Sequence, residues 1–152
     1  MIEIYIDADA CPVKDEIYKV AERYDIPVLV VSNSYMRIPR ESWIKQVVVS
    51  DGFDAADDYI AERAEASSIV ITSDILLAER CIKQSATVIS PTGKPFTENS
   101  IGMAVATRSI MADLRAGGDQ IGGQAPFSKA DRSRFLSALD LAIVQLKREL
   151  GV

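Results

Sequence analysis

The sequence predicts an α/β sandwich on a mostly parallel five-stranded sheet, and three observations carry that reading. Short runs rich in isoleucine and valine, IEIYI, IPVLVV, QVVV, SIVI and ATVI, are bounded by polar or turn-forming residues, as strands buried on both faces are. Between them, apolar residues recur at three- and four-residue steps, which is helical spacing. Strand and helix alternate as far as Ile89, an order that gives parallel crossovers rather than hairpins.

The first strand is Ile2 to Ile6, and Asp7 falls where it ends. Pro12 suits the first turn of a helix, because its missing N–H would have no partner there. Val13, Ile17, Val20, Ala21 and Tyr24 give that helix one apolar face, to about Tyr24. Ile26 to Val31 is the second strand, ended by Ser32 and Asn33. Ser34 to Ser42 is a loop with Arg37, Pro39 and Arg40, anchored to the core by Trp43 and Ile44. Gln46 to Val49 makes a short third strand. Asp51 and Gly52 turn the chain, and Asp54 takes the N-cap position of a helix through Glu65. Ser68 to Thr72 is the fourth strand, followed by Ser73, Asp74 and a helix with Leu76, Leu77, Ala78, Cys81 and Ile82 inward. Ala86 to Ile89 is the fifth.

Beyond Ser90 the turn-rich SPTGKPFTENS leads to a helix over Asn99 to Leu114, with Ile101, Val105, Ile110 and Leu114 among its apolar positions. A glycine-rich loop over 117–126 follows, too long for a tight turn. Ser128 and Asp131 resemble a capping box with aspartate in place of glutamate, opening a C-terminal helix over 128–150 with Phe135, Leu139, Ile143, Leu146 and Leu150 as its stripe. At 152 residues the whole, 1–152, is most simply one domain.

The chain has no histidine, which removes Ser-His-Asp and Cys-His catalysis and histidine-ligated zinc. Its two cysteines, Cys11 and Cys81, lie far apart and form no metal-binding spacing, which fits a reducing cytoplasm. No signal segment precedes the first strand, and no apolar run is long enough to span a membrane. A net charge of -5 argues against coating nucleic acid by bulk electrostatics, though not against a local basic rim.

Three strand ends carry aspartates: Asp7 and Asp9 after the first, Asp54, Asp57 and Asp58 beyond the third, and Asp74 after the fourth. In a parallel sheet these ends share one edge, where ligands gather near the reversal of strand order. Each alone is an ordinary helix cap; convergence is what points to chemistry. Ala56, Ile60, Ala61 and Ala64 set an apolar helix face with Asp57 nearest to it, while Asp54 and Asp58 turn more to solvent. Which of the three reaches the first strand depends on the turn at Gly52, and the sequence leaves that open.

Two carboxylates about 4 Å apart repel by roughly 4 kcal/mol at an effective dielectric near 20, and a divalent cation removes that penalty. Oxygen ligands suit Mg2+ or Mn2+, and metal-assisted phosphodiester hydrolysis needs no histidine. Asp7, Asp9 and Asp74 are the catalytic candidates, and Asp7, Asp54, Asp57, Asp58 and Asp74 the candidate metal ligands. Lys14 sits in a first helical turn, where the dipole favours acids, which points to pairing with the aspartates or to phosphate, with a plain solvated lysine as the alternative. Asn33, Thr72 and Ser73 are polar groups at strand ends that can hold water or metal, Asn33 and Ser73 being substrate-binding candidates with Lys14 and Arg132, and simple strand termination explains all three equally well. Arg132, with Lys129 and Arg134, forms one basic patch, and Arg37, Arg40 and Lys45 form another. Either patch can guide a phosphate backbone, and a plain solvated surface is the alternative. Carboxylates near Cys11 argue against a catalytic thiol there.

The blocks DADACPVKDEIY, DGFDAADDYIAERA, IVITSDILLAERC and GGQAPFSKADRSRFL resemble the signatures of the YaiI/YqxD family, bacterial proteins of uncharacterised function, over essentially the whole chain. That family is in turn similar to PIN-like nuclease domains. The resemblance implies a three-layer α/β/α sandwich and an acidic, magnesium- or manganese-dependent site for cutting RNA. By position, Asp7 resembles the first-strand aspartate of PIN domains, Asp74 the one after the fourth strand, and Asp54 to Asp58 the cluster between them. Asp9, Cys11 and the PFS segment go beyond the ordinary PIN pattern. The expected activity is a metal-dependent ribonuclease with RNA as partner, no membrane, and a homo-oligomer left open. Two rivals stand beside it. D-A-D-A after the first strand also fits a haloacid-dehalogenase-like phosphatase, with Asp7 as nucleophile and Asp9 as acid. A non-catalytic RNA- or nucleotide-binding module would still bind after Asp7→Asn.

Overall fold

β1 (Glu3–Asp7) is buried on both faces because its side chains alternate between two cores, Ile4 and Ile6 entering one and Tyr5 the other. The structure, a computed structural model, describes residues 1–50, 54–116 and 127–152, and for Ala10 and 108–116 the backbone alone. The expected turn at Asp51 and Gly52, the glycine-rich loop 117–126 and the packing of Ile110 and Leu114 therefore lie outside the described residues.

β2 (Val28–Ser32) and β4 (Ser68–Ile71) flank β1, both parallel to it, so that Ile6 pairs with Val30 on one side and Ile71 on the other. β3 (Ile44–Val48) lies outside β2, and β5 (Thr87–Ile89) outside β4, again in parallel. The chain steps outward from β1 to β3 and then returns across β1 to β4, so the strand order reverses between β1 and β4.

The sheet has six strands, not five: β6 (Pro95–Phe96) runs antiparallel along β5. Two residues carry no periodicity, so this strand is hidden within a turn-rich stretch. Gly93 makes the return possible, with φ +88 and its N–H bonded to the Ser90 carbonyl at 2.9 Å.

α1 (Lys14–Tyr24) and α5 (Lys129–Leu150) cover the Ile4 and Ile6 face, where Ile17 and Val20 meet Phe135, Leu139 and Ile143. α2 (Ala55–Arg63) and α3 (Ile75–Lys83) cover the Tyr5 face, joined by Ile101 of α4 (Glu98–Ala116). The result is a three-layer α/β/α sandwich with a mostly parallel sheet. α1 begins at Lys14, two residues after Pro12, with Val13 at its N-cap. In α3, Leu77, Ala78 and Cys81 point inward as expected, whereas Leu76 is 43% exposed, because the inward face is set one residue later. The capping box is present, with Ser128 Oγ accepting from the Asp131 N–H at 3.1 Å and Asp131 Oδ2 accepting from the Ser128 N–H at 2.9 Å. No described helix is long and apolar enough to cross a membrane.

Candidate functional site

The carboxyl ends of β1 and β4 meet at the reversal of strand order, and one hydroxyl ties them together. Asp7, half-buried at the end of β1, accepts a hydrogen bond from Thr72 Oγ1 at 2.8 Å. Thr72 is 1% exposed just after β4, and its Oγ1 in turn accepts the Asp74 N–H at 2.9 Å. Asp74 Oδ1 caps α3, accepting from the Leu76 N–H at 2.9 Å and the Leu77 N–H at 3.1 Å. Each carboxylate thus has one oxygen engaged by these bonds, and Asp74 is also within hydrogen-bonding reach of the Asp57 carboxyl.

Electrostatics draws Asp57 into the same group. Burial raises the Asp7 carboxyl above the ordinary range, opposed by the Thr72 bond and reinforced by the charges of Asp74 and Asp9. Asp57, in the first turn of α2, is pushed up to about 6 by burial and by the charges of Asp74, Asp7 and Asp54. The charge of Asp74 thus contributes to raising both Asp7 and Asp57, which come from separate crossover units.

Asp54 stands exposed at the N-cap position of α2, yet its side chain makes no capping bond. Asp9 is exposed in a short 3-10 turn, Ala8–Ala10, and Asp7 likewise caps nothing. Of the acidic candidates, only Asp74 does the helix-capping work that would make function unnecessary. Asp58 is drawn away: it pairs with Arg80 of α3 at 2.8 Å, both side chains about half exposed. The structure thus gathers Asp7, Asp57 and Asp74, with Asp9 and Asp54 at the rim, and leaves Asp58 outside.

The other candidates divide similarly. Lys14 Nζ donates to the Cys11 carbonyl at 2.9 Å, in the segment that follows Asp9. Arg132 is engaged with α1, donating to the Pro12 carbonyl at 2.9 Å and to Glu16 Oε1 at 3.0 Å. Arg134 pairs with Asp131. Asn33 follows β2 with its Oδ1 buried and unpartnered among the described residues. Ser73 is exposed between Thr72 and Asp74, and with Pro12, Lys94, Phe96 and Phe127 it lines a cavity of about 820 Å³.

Among the described residues no three carboxylate or thiol groups close into a ready-made metal cage. The Cys11 thiol is pushed up to about 11 by burial, so it stays protonated at neutral pH in the metal-free chain. What remains is a set of carboxylate oxygens. Oxygen donors of this kind are the class that hard divalent cations take, magnesium through one or two carboxylates with several waters retained. Sequence reasoning did not see that Thr72 bridges Asp7 and Asp74. Its one signal was a lone hydroxyl ending the apolar run SIVIT.

Comparison with known proteins agrees with this description along the chain. The profile of an uncharacterised bacterial family, YaiI/YqxD, matches residues 5–145. A UPF0178 protein of Sphingopyxis alaskensis is 65% identical over 149 residues, covering 97% of each chain. UPF0178 proteins of Nitrobacter winogradskyi and Rhodopseudomonas palustris are 57% and 56% identical, each covering 97% of this chain and 94% of the relative. No solved structure matches it. Since the profile spans every aspartate of the cluster and the relatives align along nearly their whole length, the chain belongs to the YaiI/YqxD family.

Proposed function

We propose that the protein is a cytoplasmic metal-dependent nuclease that hydrolyses RNA phosphodiester bonds at an all-aspartate site. The observation that carries this reading is the Asp57 carboxyl, pushed up to about 6 by burial and by the charges of Asp74, Asp7 and Asp54. Like charges assembled from distant segments are unfavourable in themselves, and such arrangements mark functional sites. Their place at the reversal of strand order is where α/β sheets bind ligands. The layer order and the positions of Asp7 and Asp74 support the likeness to PIN-like nuclease domains. Two free, buried cysteines suit a reducing compartment.

Asp7, Asp57 and Asp74 would hold Mg2+ or Mn2+ through carboxylate oxygens, the ion taking the place of the proton that Asp57 and Asp74 otherwise share. Such an ion, when bound, supplies an activated water and neutralises developing charge on the phosphate. Thr72 fixes the orientation of Asp7, and the α3 N-terminus fixes that of Asp74. Asp9, at the exposed rim, is placed to assist by orienting water. Ser73 lies beside them, open to substrate.

The test is cleavage of labelled single-stranded RNA in Mn2+, in Mg2+ and in EDTA. Asp7→Asn is expected to reduce cutting on the order of 100-fold or more. Asp74→Asn is expected to do the same while keeping the α3 cap, since asparagine caps as well as aspartate. Binding without cutting in any divalent metal would leave a non-catalytic RNA-binding module. A beryllofluoride adduct trapped on Asp7 would instead identify the phosphatase.

A further inference from the structure

A second feature lies on the β2 side of Asp7 and reaches from the carboxyl end of β2 to Ile44 at the start of β3. The loop between β2 and β3 and the face of α1 enclose a groove of about 1030 Å³, lined by Lys14, Tyr18, Tyr35, Arg37, Ile38 and Arg40. We propose that this groove binds single-stranded RNA, with Tyr35 as a stacking platform and Arg37 and Arg40 as phosphate contacts.

Tyr35 is 82% exposed, and among the described residues it is the one aromatic side chain left mostly to solvent. Its backbone, by contrast, is held on both sides. Ser34 on one side accepts at its carbonyl from Ser32 Oγ at 2.7 Å. Met36 on the other is clasped by the Gln46 side chain, which accepts from the Met36 N–H at 3.0 Å and donates to the Met36 carbonyl. A ring free to make contacts on an anchored backbone loses little freedom when a base stacks on it.

Charge points to the same occupant. Lys14, Arg37 and Arg40 face only Asp15 and Glu41 in the groove, in a chain whose 22 acidic residues outnumber its 17 basic ones. Arg37 and Arg40 form no ion pair with any described residue. An anionic strand with unpaired bases matches an exposed aromatic ring between cations.

The groove also has a direction. Its loop leaves the carboxyl end of β2, the strand paired with β1 so that Val31 lies opposite Asp7. Lys14, on the groove wall, reaches the Cys11 carbonyl just beyond Asp9. A strand lying in the groove thus runs toward the acidic cluster, and this last point alone rests on the proposed nuclease function.

The test is fluorescence anisotropy with a short labelled single-stranded RNA and the full chain, in EDTA so that nothing is cut. Tyr35→Ala is expected to weaken binding about tenfold, and Tyr35→Phe to keep it. The Arg37→Ala/Arg40→Ala double variant is expected to flatten the salt dependence by about 1.4, roughly 0.7 for each phosphate no longer neutralised. Unchanged affinity and salt slope in these variants, or no RNA binding by the parent chain, would overturn the groove. So would a Tyr35→Ala variant that alters the sedimenting mass while RNA affinity stays put, since that marks a protein-binding face. A groove-dependent affinity in EDTA with no cutting in any metal would sink the nuclease and leave the groove standing. Metal-dependent cutting with groove-independent affinity would do the reverse.

Discussion

Thr72 donates its hydroxyl proton to Asp7 at 2.8 Å, a bond that joins residues 65 apart in the chain and closes the gap between β1 and β4. Thr72→Val keeps the shape, but strips Asp7 of a donor and the Asp74 N–H of its acceptor. A loss of about 1–3 kcal/mol is expected in urea denaturation, the usual consequence of stranding buried polar groups. Because the Thr72 bond is what opposes the rise of the Asp7 carboxyl, metal-dependent cutting should also shift to higher pH, and Thr72→Ser should restore both.

The raised carboxyls make metal-free stability fall as pH rises. Between the ordinary carboxylate value of 3.8 and the value of about 6 at Asp57, the folded chain holds a proton that the unfolded chain has released. The unfolded state therefore binds fewer protons in that window, and stability declines through it before levelling off above. In EDTA, Asp57→Asn is expected to flatten this decline and to raise the melting temperature at neutral pH by on the order of 2–4 °C. Calorimetry across the window checks it, and saturating Mg2+ should reduce the difference.

Asp58 and Arg80 separate geometry from composition. Their 2.8 Å pair is half exposed, so Arg80→Ala or Asp58→Asn should change stability by no more than about 1 kcal/mol. RNA cutting should be untouched in both, while Asp57→Asn, one residue earlier, removes it. A loss of cutting in Asp58→Asn would show that the pair opens to serve the site.

Arg132 ties α5 to the start of α1 through the Pro12 carbonyl and Glu16, with its guanidinium 4.9 Å from the centre of the Phe127 ring. Glu16 Oε2 is already buried without a partner among the described residues. Arg132→Ala leaves the Glu16 carboxylate unpaired and is expected to lower stability by about 1–2 kcal/mol in thermal denaturation. Glu16→Gln in the same chain should recover part of that deficit.

Gly93 admits no side chain. At φ +88, a Cβ would stand 2.7 Å from the Arg134 carbonyl carbon and 2.8 Å from the Phe135 nitrogen, both backbone atoms of α5. Gly93→Ala combines strain at positive φ with a forced shift of that helix, and a loss of more than about 2 kcal/mol is expected in urea denaturation.

Most of this architecture was legible because its signals are local. β1, β2 and β4 are largely buried on both faces and show as apolar runs, as does the more exposed β3, and Ser128 with Asp131 announces the start of α5 three residues apart. The place of Asp57 nearest the apolar face of α2 was equally readable, since Ala56 and Ile60 set the helical phase. What escaped depends on contacts between distant segments. β6 has only two residues, Thr72 acts on a carboxylate in another strand, and Asp58 answers to an arginine on the next helix. The unpartnered oxygen of Asn33 is likewise a product of packing that no spacing rule encodes.

The seating of α5 has a consequence for how the protein is made. Phe135, Leu139 and Ile143 seal the core beneath Ile4 and Ile6, and Arg132 secures Pro12 from 120 residues downstream. During translation, the leading strand emerges with one face wet, and the helix that dries it leaves the ribosome far later. The Ile4 and Ile6 face therefore stays partly open until α5 has emerged and docked onto it.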